Sequence, residues 1–264
     1  MDLQLKNRHA LVTGSTAGIG FAIARVLAAE GAEVTLTGRT QASVDGALAR
    51  LASSVPAARA SGVAADCATA AGAEAVFRYL PEVDILVNNL GIYERRPFFE
   101  TSDADWLRLF EVNVLSGVRF ARHYAPGMVK RGWGRVLFVS SESALCVPRE
   151  MIHYGTTKTA QLTISRGLAI ELSGTGVTVN TVLPGPTRTE NTERIRAERA
   201  KAAGMTIAEL EADFFVTYRP TSLLKRFTSA EEIANLAVYL CGAGASATTG
   251  AALRADGGIV NTIM

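Results

Sequence analysis

The sequence predicts an α/β protein in which one doubly wound parallel sheet of about seven strands carries helices on both faces. Short β-branched or apolar runs alternate along the chain with longer segments whose apolar residues recur at helical spacing. A glycine-rich stretch, TGSTAGIG at 13–20, lies between the first apolar run and the first helical segment. Strands that alternate with helices are joined by right-handed crossovers, and these bury a parallel sheet on both faces.

The predicted strands are short and apolar, and the helices between them are amphipathic. The strands cover 9–13, 33–37, 61–65, 83–89, 135–140, 177–182 and 251–255. The helices cover 19–31, 43–54, 70–80, 105–131 and 156–174. Because almost no Pro or Gly linker divides the chain, residues 1–264 are expected to form a single domain.

The composition is that of a globular chain, with no sign of a nucleic-acid or membrane partner. Of the 264 residues, 48% are hydrophobic and 20% are charged, which argues against a disordered chain. The formal net charge is +2 and Lys and Arg form no long run, so neither a nucleic acid nor an anionic membrane is an expected partner. The N-terminus lacks a signal-peptide pattern and no apolar run approaches a membrane span of about 18 residues, so the expected location is cytoplasmic.

Neither the cysteines nor the histidines form a recognisable metal site or disulfide framework. They are scattered along the chain as His9, Cys67, His123, Cys146, His153 and Cys241. The number of cysteines is odd, and their separations match neither CxxC nor a metal-ligand pattern. The cysteines are therefore expected to be reduced thiols, and no metal is expected.

Residues 190–228 break the alternation with two helical segments placed before the last strand. We expect this insertion to be a lid over a ligand cleft. Its apolar lining would come from Phe214, Phe215 and Tyr218. The alternative is a helical hairpin that packs on the core or on a neighbouring subunit. The helix that follows, 228–242, is expected to begin with a capping box formed by Thr228 and Glu231.

Small polar residues cluster after the predicted strands, at one edge of the sheet. A doubly wound sheet binds ligands beyond the carboxyl ends of its strands, near the point where strand order reverses. The residues after the fourth, fifth and sixth strands include Asn88, Asn89, Gly91, Ser140, Ser141, Ser143, Pro184, Gly185, Thr187 and Thr189. The glycine-rich stretch reaches the same edge, where free N–H groups and a helix dipole suit an anion. This edge is therefore the candidate site.

A tyrosine and a lysine in YGTTK at 154–158 complete the candidate site. Tyr154 and Lys158 are four residues apart, so on a helix they point to the same side, one turn apart. Such a pair alone is common on helix surfaces. Here Ser141 follows a strand and Asn113 lies in the long helical segment, so the four residues together form a much rarer arrangement.

With these motifs in this order, the chain resembles the short-chain dehydrogenase/reductase family over essentially its whole length. The resemblance rests on TGSTAGIG at 13–20, NNLG at 88–91, Asn113 in EVNVL, Ser141, YGTTK at 154–158, PGPTRT at 184–189 and DGG at 256–258. It implies a Rossmann-type fold with one dinucleotide-binding and catalytic domain, and an oxidoreductase that transfers a hydride between a nicotinamide cofactor and a ketone or secondary alcohol. One departure is Leu90, where the family usually has alanine; this larger side chain is expected to narrow the floor beneath the adenosine ribose.

The resemblance implies a catalytic role for four residues. Tyr154 is implied to be the general acid in ketone reduction and the general base in alcohol oxidation. The Lys158 ammonium is implied to lower the pKa of Tyr154 and to hold the nicotinamide ribose hydroxyls. Ser141 is implied to hydrogen-bond the substrate oxygen, and Asn113 to anchor a water that relays protons to Lys158.

The end of the second strand predicts NADP(H) in preference to NAD(H). An acidic residue at this place binds the ribose 2′-OH and repels a 2′-phosphate, but this chain has Gly38 there. The next residue, Arg39, can grip a phosphate through two parallel hydrogen bonds, and Thr40 adds a hydroxyl. The glycine loop itself, STA at 15–17, adds no basic residue.

The remaining cofactor contacts follow from the resemblance. Asp66 is implied to contact the adenine amino group, and Thr187 and Thr189 to fix the nicotinamide carboxamide. The other implied contacts are Gly14, Ser15, Thr16, Gly18, Ile19, Gly20, Asn89, Gly91, Tyr154, Lys158, Pro184 and Gly185.

The motifs do not specify the small-molecule substrate. An apolar or aromatic ketone or alcohol is favoured by the expected walls of the pocket. These walls are Tyr93, Val147, Ile152, Phe214, Phe215 and Tyr218. Three arginines in the same region suit an anionic group instead, and they are Arg95, Arg96 and Arg149.

Two other functions stay open. A 3-oxoacyl-[acyl-carrier-protein] reductase often carries a basic residue before the sixth strand, whereas SGTG at 173–176 is uncharged. A non-catalytic NADP(H)-binding sensor or scaffold is disfavoured because the catalytic set is complete. The resemblance also implies a homotetramer, or a homodimer, in which the segments 105–131 and 154–174 pair across subunits.

Overall fold

The structure is a computed structural model that describes residues 2–263. The main sheet is built from β1 (His9–Val12), β2 (Glu33–Gly38), β3 (Arg59–Ala64), β4 (Ile85–Asn88), β5 (Gly134–Val139), β6 (Val177–Pro184) and β9 (Ala252–Ala255). These seven strands are all parallel and lie in the order β3-β2-β1-β4-β5-β6-β9. The predicted single α/β domain with a doubly wound sheet is confirmed.

The described residues contain nine α-helices, most of which cover the two faces of this sheet. They are α1 (Gly18–Ala29), α2 (Gln41–Ser54), α3 (Ala70–Tyr79), α4 (Asp103–Phe110), α5 (Ser116–Arg131), α6 (Ile152–Glu171), α7 (Glu190–Ala203), α8 (Ile207–Thr217) and α9 (Ala230–Cys241). Fully buried Ile23 and Ile233 anchor α1 and α9 in the core on one face. Buried Phe120 and Met128 anchor α5 in the core on the other face, where α3 and α6 also pack. Two apolar layers thus hold the strands rigidly.

The order of strands reverses between β1 and β4, so a crevice opens at their carboxyl ends. Strand β1 is buried along Ala10–Val12, and β4 and β5 are buried throughout, as expected for central parallel strands covered on both faces. The loops that follow these strands therefore start from fixed points at one edge of the sheet.

The predicted helix 105–131 contains a widened turn. Helix α4 passes into a π-helical turn, Glu111–Leu115, and then into α5 without leaving the helical region. A π turn inserts one extra residue and rotates the side chains that follow. It places Asn113 on the buried side, with no exposed surface.

The insertion leaves and rejoins the sheet through a short parallel pair, β7 (Thr187–Arg188) and β8 (Thr228–Ser229). Helices α7 and α8 lie between these two strands. The capping box predicted at Thr228 and Glu231 is one residue out of place. The Thr228 hydroxyl is engaged with Thr187 Oγ1 at 3.1 Å, so Ser229 caps α9 and pairs with Glu232 instead.

Among residues 2–263, no helix is both long and apolar enough to cross a membrane. Over the same residues, no three His, Cys, Asp or Glu side chains are grouped as metal ligands. Cys67 and Cys241 are buried, and burial raises the pKa of their thiols to about 11 and about 12, respectively. These two thiols are therefore protonated at neutral pH.

Candidate active site

Ser141, Tyr154 and Lys158 meet at the edge of a cleft of about 380 Å³. Ser141 lies two residues after the end of β5 and caps a single 3₁₀ turn, Glu142–Ala144. Tyr154 and Lys158 lie on the first turns of α6, which packs against this turn and against β6. The cleft opens at the carboxyl ends of β4, β5 and β6, where the sequence predicts the site.

The phenol of Tyr154 is harder to ionise than a free tyrosine in the ligand-free chain. Burial raises its pKa, a hydrogen bond with Ser141 lowers it, and the negative charge of Glu142 raises it. The direction is opposite to the lowering expected from Lys158. Lys158 Nζ lies 5.7 Å from the centre of the Tyr154 ring and donates its hydrogen bonds elsewhere, so its charge does not offset the burial.

Lys158 is itself a buried cation that loses its proton easily. Its side chain is 4% exposed, and burial lowers its pKa to about 7. Nζ donates to the carbonyl oxygen of Val139 at 2.9 Å and to Gln161 Oε1 at 3.3 Å. These two acceptors hold the amine beside the cleft.

Asn113 is a buried anchor with all its side-chain hydrogen bonds made. Its Nδ2 donates to Ile92 O at 2.9 Å and to Thr157 Oγ1 at 3.0 Å, and its Oδ1 accepts from Ile92 N at 2.8 Å. Its own carbonyl oxygen accepts from Gln161 Nε2 at 2.6 Å. The amide of Gln161 thereby joins the backbone of Asn113 to the amine of Lys158.

The glycine-rich loop forms a cradle that only glycine permits. Gly14 and Gly18 have φ of +60° and +58°, which side chains rarely adopt. A Cβ on Gly20 would lie 2.4 Å from Asn89 Nδ2, so the loop and Asn89 are packed in direct contact. Helix α1 starts at Gly18 after Ala17, which supplies no side-chain cap. The N–H groups of a helix N-terminus suit a diphosphate, so these residues fit a dinucleotide cofactor.

A second, smaller cavity of about 160 Å³ lies at the ends of β2 and β3. Its walls include Gly14, Thr16, Gly38, Arg39, Asp66 and Leu90. A Cβ on Gly38 would lie 2.5 Å from Thr16 Cγ2, so an acidic side chain does not fit there without movement. Arg50 of α2 donates to Thr16 O and brings a second guanidinium to this end of the site. Nothing in the local sequence around Arg50 signals this contact, because it depends on how α2 packs.

Comparison with known proteins identifies the family that has this arrangement of glycine loop, serine, tyrosine and lysine. A family model described as enoyl-(acyl carrier protein) reductase matches residues 14–260. A solved short chain dehydrogenase/reductase family protein superposes with a TM-score of 0.84 at 34% identity, over 99% of this chain and 100% of that chain. The chain belongs to the short-chain dehydrogenase/reductase family.

Two further relatives of this family are closely similar over their full lengths. The uncharacterized oxidoreductase YvaG of Bacillus subtilis is 46% identical over 263 residues, which are 100% of both chains. The L-sorbose reductase of Gluconobacter frateurii, solved in complex with NADPH and L-sorbose, superposes with a TM-score of 0.93 at 32% identity over 100% of both chains. The protein is therefore an NAD(P)-dependent oxidoreductase of the short-chain type.

Most of the predicted cofactor residues line the two cavities. The larger cleft is lined by Ile19, Gly20, Asn89, Gly91, Tyr154, Lys158, Pro184, Gly185, Thr187 and Thr189. Ser15 differs, because it is fully buried and its hydroxyl donates to Val12 O and accepts from Thr37 N within the sheet. Thr40 also differs, because its hydroxyl caps α2 by accepting from Ser43 N. Gly18 N donates to Glu190 Oε2 at 2.9 Å, which joins the glycine loop to α7.

Only some of the residues predicted to line the substrate pocket face a cavity. Tyr93 and Phe214 line the larger cleft, and Tyr218 lines an adjoining cavity of about 570 Å³ between the loop after β4 and helices α7 and α8. Phe215 is 2% exposed and packs inside the insertion against Phe214 and Phe227. Val147 and Ile152 line neither cavity, because Val147 is 48% exposed and Ile152 starts α6 outside the cleft.

Polar side chains that the sequence analysis does not single out also reach the cleft. Asn191, Thr192 and Arg219 of the insertion reach it, and Glu142 lies beside Ser141. These residues carry no recognisable motif, and the fold alone brings them together. Polar and apolar side chains of the insertion therefore share this wall of the cleft.

Proposed function

We propose that the protein reduces a ketone with NADPH, and oxidises the corresponding secondary alcohol in reverse. A nicotinamide held by the residues of the cleft would supply the hydride that the carbonyl carbon needs. Tyr154 gives its phenolic proton to the carbonyl oxygen, so the product is a secondary alcohol and the cofactor leaves as NADP⁺. The observation that carries this proposal is the convergence of Ser141, Tyr154 and Lys158 on one cleft.

The roles of the chain's own groups follow from their surroundings. Tyr154 must become more acidic to act at neutral pH, and a protonated Lys158 nearby favours its phenolate. Burial lowers the pKa of Lys158 to about 7, so this amine exchanges its proton much more readily near neutral pH than an exposed lysine does. Gln161 and Val139 hold this amine where the ribose hydroxyls of a bound cofactor would reach it. Asn113 fixes the loop at Ile92 on one wall of the cleft.

NADP(H) is the proposed cofactor because β2 ends in Gly38, followed by Arg39, where an acidic residue would select NAD(H). Arg39 lines the smaller cavity and Arg50 lies against Thr16 at its edge. Packing around Gly38 opposes an acidic side chain at the position that selects NAD(H). The NADPH bound in the L-sorbose reductase of similar fold supports the same choice.

We propose that residues 190–228 form the lid of the substrate cleft. Asn191, Thr192, Phe214 and Arg219 contribute side chains to the same cavity as Tyr154. The insertion is tied at its start to the glycine loop through Glu190 and at its end to the loop after β5 through Arg219. A movement of the insertion would therefore alter both halves of the site.

The proposed activity is tested by following NADPH oxidation with a panel of ketones. The panel contains L-sorbose, a 3-oxoacyl thioester and an aromatic ketone, which represent the polar, acyl-carrier and apolar alternatives. Tyr154→Phe is expected to reduce turnover by about 10²- to 10⁴-fold, because the proton donor is lost. Tyr79→Phe is the matched control, since Tyr79 is an exposed tyrosine at the end of α3 and far from the cleft.

Undiminished turnover in Tyr154→Phe would contradict the role of Tyr154 as the acid. Tight NADPH binding without turnover of any ketone or alcohol would instead favour a cofactor sensor or scaffold. Preferred turnover of the thioester would identify the acyl-carrier reductase.

We further propose that four chains assemble into a homotetramer. The family resemblance is one support, since α5 and α6 are the helices implied to pair across subunits. A second support is a groove between these helices with an apolar lining that includes Val118, Ala125, Ile164 and Leu168.

A further inference from the structure

The adjoining cavity of about 570 Å³ shares part of its wall with the cleft that contains Tyr154. Tyr93, Thr192, Phe214 and Phe227 line both spaces. The centre of the Tyr93 ring lies 6.1 Å from the centre of the Tyr154 ring, so the shared wall begins beside the phenol. The wall that a ketone would meet beyond Tyr154 therefore continues into the adjoining cavity.

Aromatic rings form one wall of the adjoining cavity. The rings of Phe214 and Tyr218 are stacked with their centres 5.8 Å apart, and the centres of the Phe214 and Phe227 rings are 5.0 Å apart. All three residues line this cavity. Because aromatic faces pack well against flat apolar groups, this wall suits an apolar part of a ligand, and a ring above all.

One of the arginines that line the adjoining cavity is already paired within the protein. Arg196 is 6% exposed, and it donates to Glu193 Oε1 at 2.5 Å and to Glu211 Oε2. Its guanidinium carbon also lies 4.5 Å from the centre of the Phe227 ring. Arg196 therefore supports the aromatic wall, and its charge is balanced by carboxylates of the insertion itself.

Arg95 and Arg199 line the same cavity and have guanidinium donors that remain available. Arg95, in the loop after β4, lies 5.1 Å from the centre of the Tyr218 ring. Its ion pair with Glu150 spans 3.7 Å, which is beyond hydrogen-bond distance. Arg199 lies on α7, and within residues 2–263 it forms no ion pair with a carboxylate. Two such groups at one cavity suit an anion.

We propose that the adjoining cavity is a subsite for the carboxylate of a keto acid. The ketone of this substrate lies at Tyr154, its apolar spacer lies along the aromatic wall, and its carboxylate binds Arg95 and Arg199. Asp213 lines the same cavity, and its charge repels a doubly charged phosphate more strongly than a singly charged carboxylate. The carboxylate is bound without reacting, so the ketone is still the group that is reduced.

This inference rests on the proposed function and deepens it, because it names the substrate class for the same site. The spacer is an essential part of the proposal. A carboxylate directly beside the carbonyl would stay in the cleft of Tyr154, whereas both arginines line the cavity beyond Tyr93.

The test compares the reduction of 4-acetylbenzoate and 4-acetylbenzamide by NADPH, because these ketones have nearly the same shape and differ in charge. A second pair, 3-(4-acetylphenyl)propanoate and its amide, has a longer spacer. The readout is the ratio of kcat/KM for the acid to kcat/KM for the amide. For at least one pair the wild-type ratio is expected to be about ten or more, since the amide lacks the charge-assisted hydrogen bonds. Added salt should lower this ratio.

Arg95→Gln and Arg199→Gln are each expected to lower the ratio severalfold, and the double variant should bring it close to one. Asp213→Asn should raise the ratio, because it removes a negative charge from the cavity wall. A merely structural role of the arginines would lower kcat/KM for acid and amide together and leave the ratio unchanged. The matched control is Arg194→Gln, which removes an exposed charge of α7 that lines neither cavity and should leave the ratio unchanged.

Failure of the subsite and failure of the proposed function give different results. If the wild type reduces each acid no better than its amide, or if the double variant keeps the preference for the acid, the subsite is wrong while ketone reduction stands. The same holds if the wild type reduces ketones of the panel but neither keto acid. If it reduces none of the four probes and no ketone of the panel, the proposed function fails and this inference falls with it.

Discussion

At the scale of single residues, the buried amine of Lys158 links the active site to stability. Burial lowers its pKa from 10.5 to about 7, so the folded chain resists protonating this group. Between these two pH values the unfolded chain binds a proton that the folded chain does not. The contribution of Lys158 to stability therefore improves as the pH rises through this window.

Lys158→Met is expected to be more stable than the wild type at pH 7, and this advantage should shrink as the pH rises to 9. The difference in the free energy of unfolding should fall by up to about 1.4 kcal/mol per pH unit, which is the limit for one proton. Denaturant unfolding of both proteins at pH 7, 8 and 9 measures the difference. Parallel stability profiles would mean that the pKa of Lys158 is not lowered in the folded chain.

Arg39 is the residue on which the cofactor preference should depend most. Arg39→Ser is expected to raise the Kd of NADPH about tenfold or more, because charge-assisted hydrogen bonds to a phosphate are lost. The Kd of NADH should change little, since NADH has no 2′-phosphate. Fluorescence titration with both cofactors measures this, and Arg78→Ser on the far part of α3 is the control for a general loss of positive charge. If Arg39→Ser raises the Kd of NADPH and the Kd of NADH equally, Arg39 does not select between the two cofactors.

At the scale of elements, the link between α7 and the glycine loop bears on cofactor affinity. Glu190 is the first residue of α7, and its carboxylate accepts from Gly18 N at the start of α1. This acceptor satisfies a helix N–H group, but it also places a negative charge beside the cradle expected to hold a diphosphate. The contact therefore stabilises the ligand-free loop and opposes the cofactor.

Glu190→Gln is expected to lower the Kd of NADPH about threefold, because the acceptor stays while a charge repulsion is removed. The effect should weaken with added salt. Glu198→Gln, two turns further along α7, serves as the control for a loss of charge on the same helix. If the Kd of NADPH is unchanged or higher in Glu190→Gln, the Glu190 carboxylate does not oppose cofactor binding.

The sequence predicts the elements well because their signals are local. The alternation of strands and helices follows from apolar spacing, and the strand β3 is shifted only because pairing with β2 fixes its start at Arg59. The π turn at Asn113 is different, since its residues have ordinary helical spacing and only the buried hydrogen bonds to Ile92 and Thr157 reveal its role. Local patterns do not encode such long-range contacts.

The residues of the candidate site likewise divide into those with a local sequence signal and those placed by long-range contacts. The positions of Ser141, Tyr154 and Lys158 are predictable, because a strand end and a helix turn fix them. Gln161 and Arg219 are not, because their contacts depend on which polar atoms tertiary packing leaves within reach. Arg219 meets Glu142 from 77 residues away in the chain. No spacing rule connects such positions.

At the scale of the whole molecule, the two apolar layers of the sheet leave one pair of helices with unpaired apolar surface. The groove between α5 and α6 lies on the face opposite α1 and α9, and α6 also carries Tyr154 of the active site. Pairing of these helices between chains would cover the groove and stiffen the helix that carries Tyr154.

We expect the wild type to have the mass of four chains of 27.9 kDa when measured by light scattering after gel filtration. Leu168→Glu places a charge in the groove, so burial of this surface between chains becomes unfavourable and the mass should fall to that of two chains or one. Val216→Glu on the exposed side of α8 is the control and should leave four chains together, because Val216 is 75% exposed and outside the groove. A wild type that elutes with the mass of one chain would contradict the assembly, and the groove would then be an ordinary solvent-exposed surface.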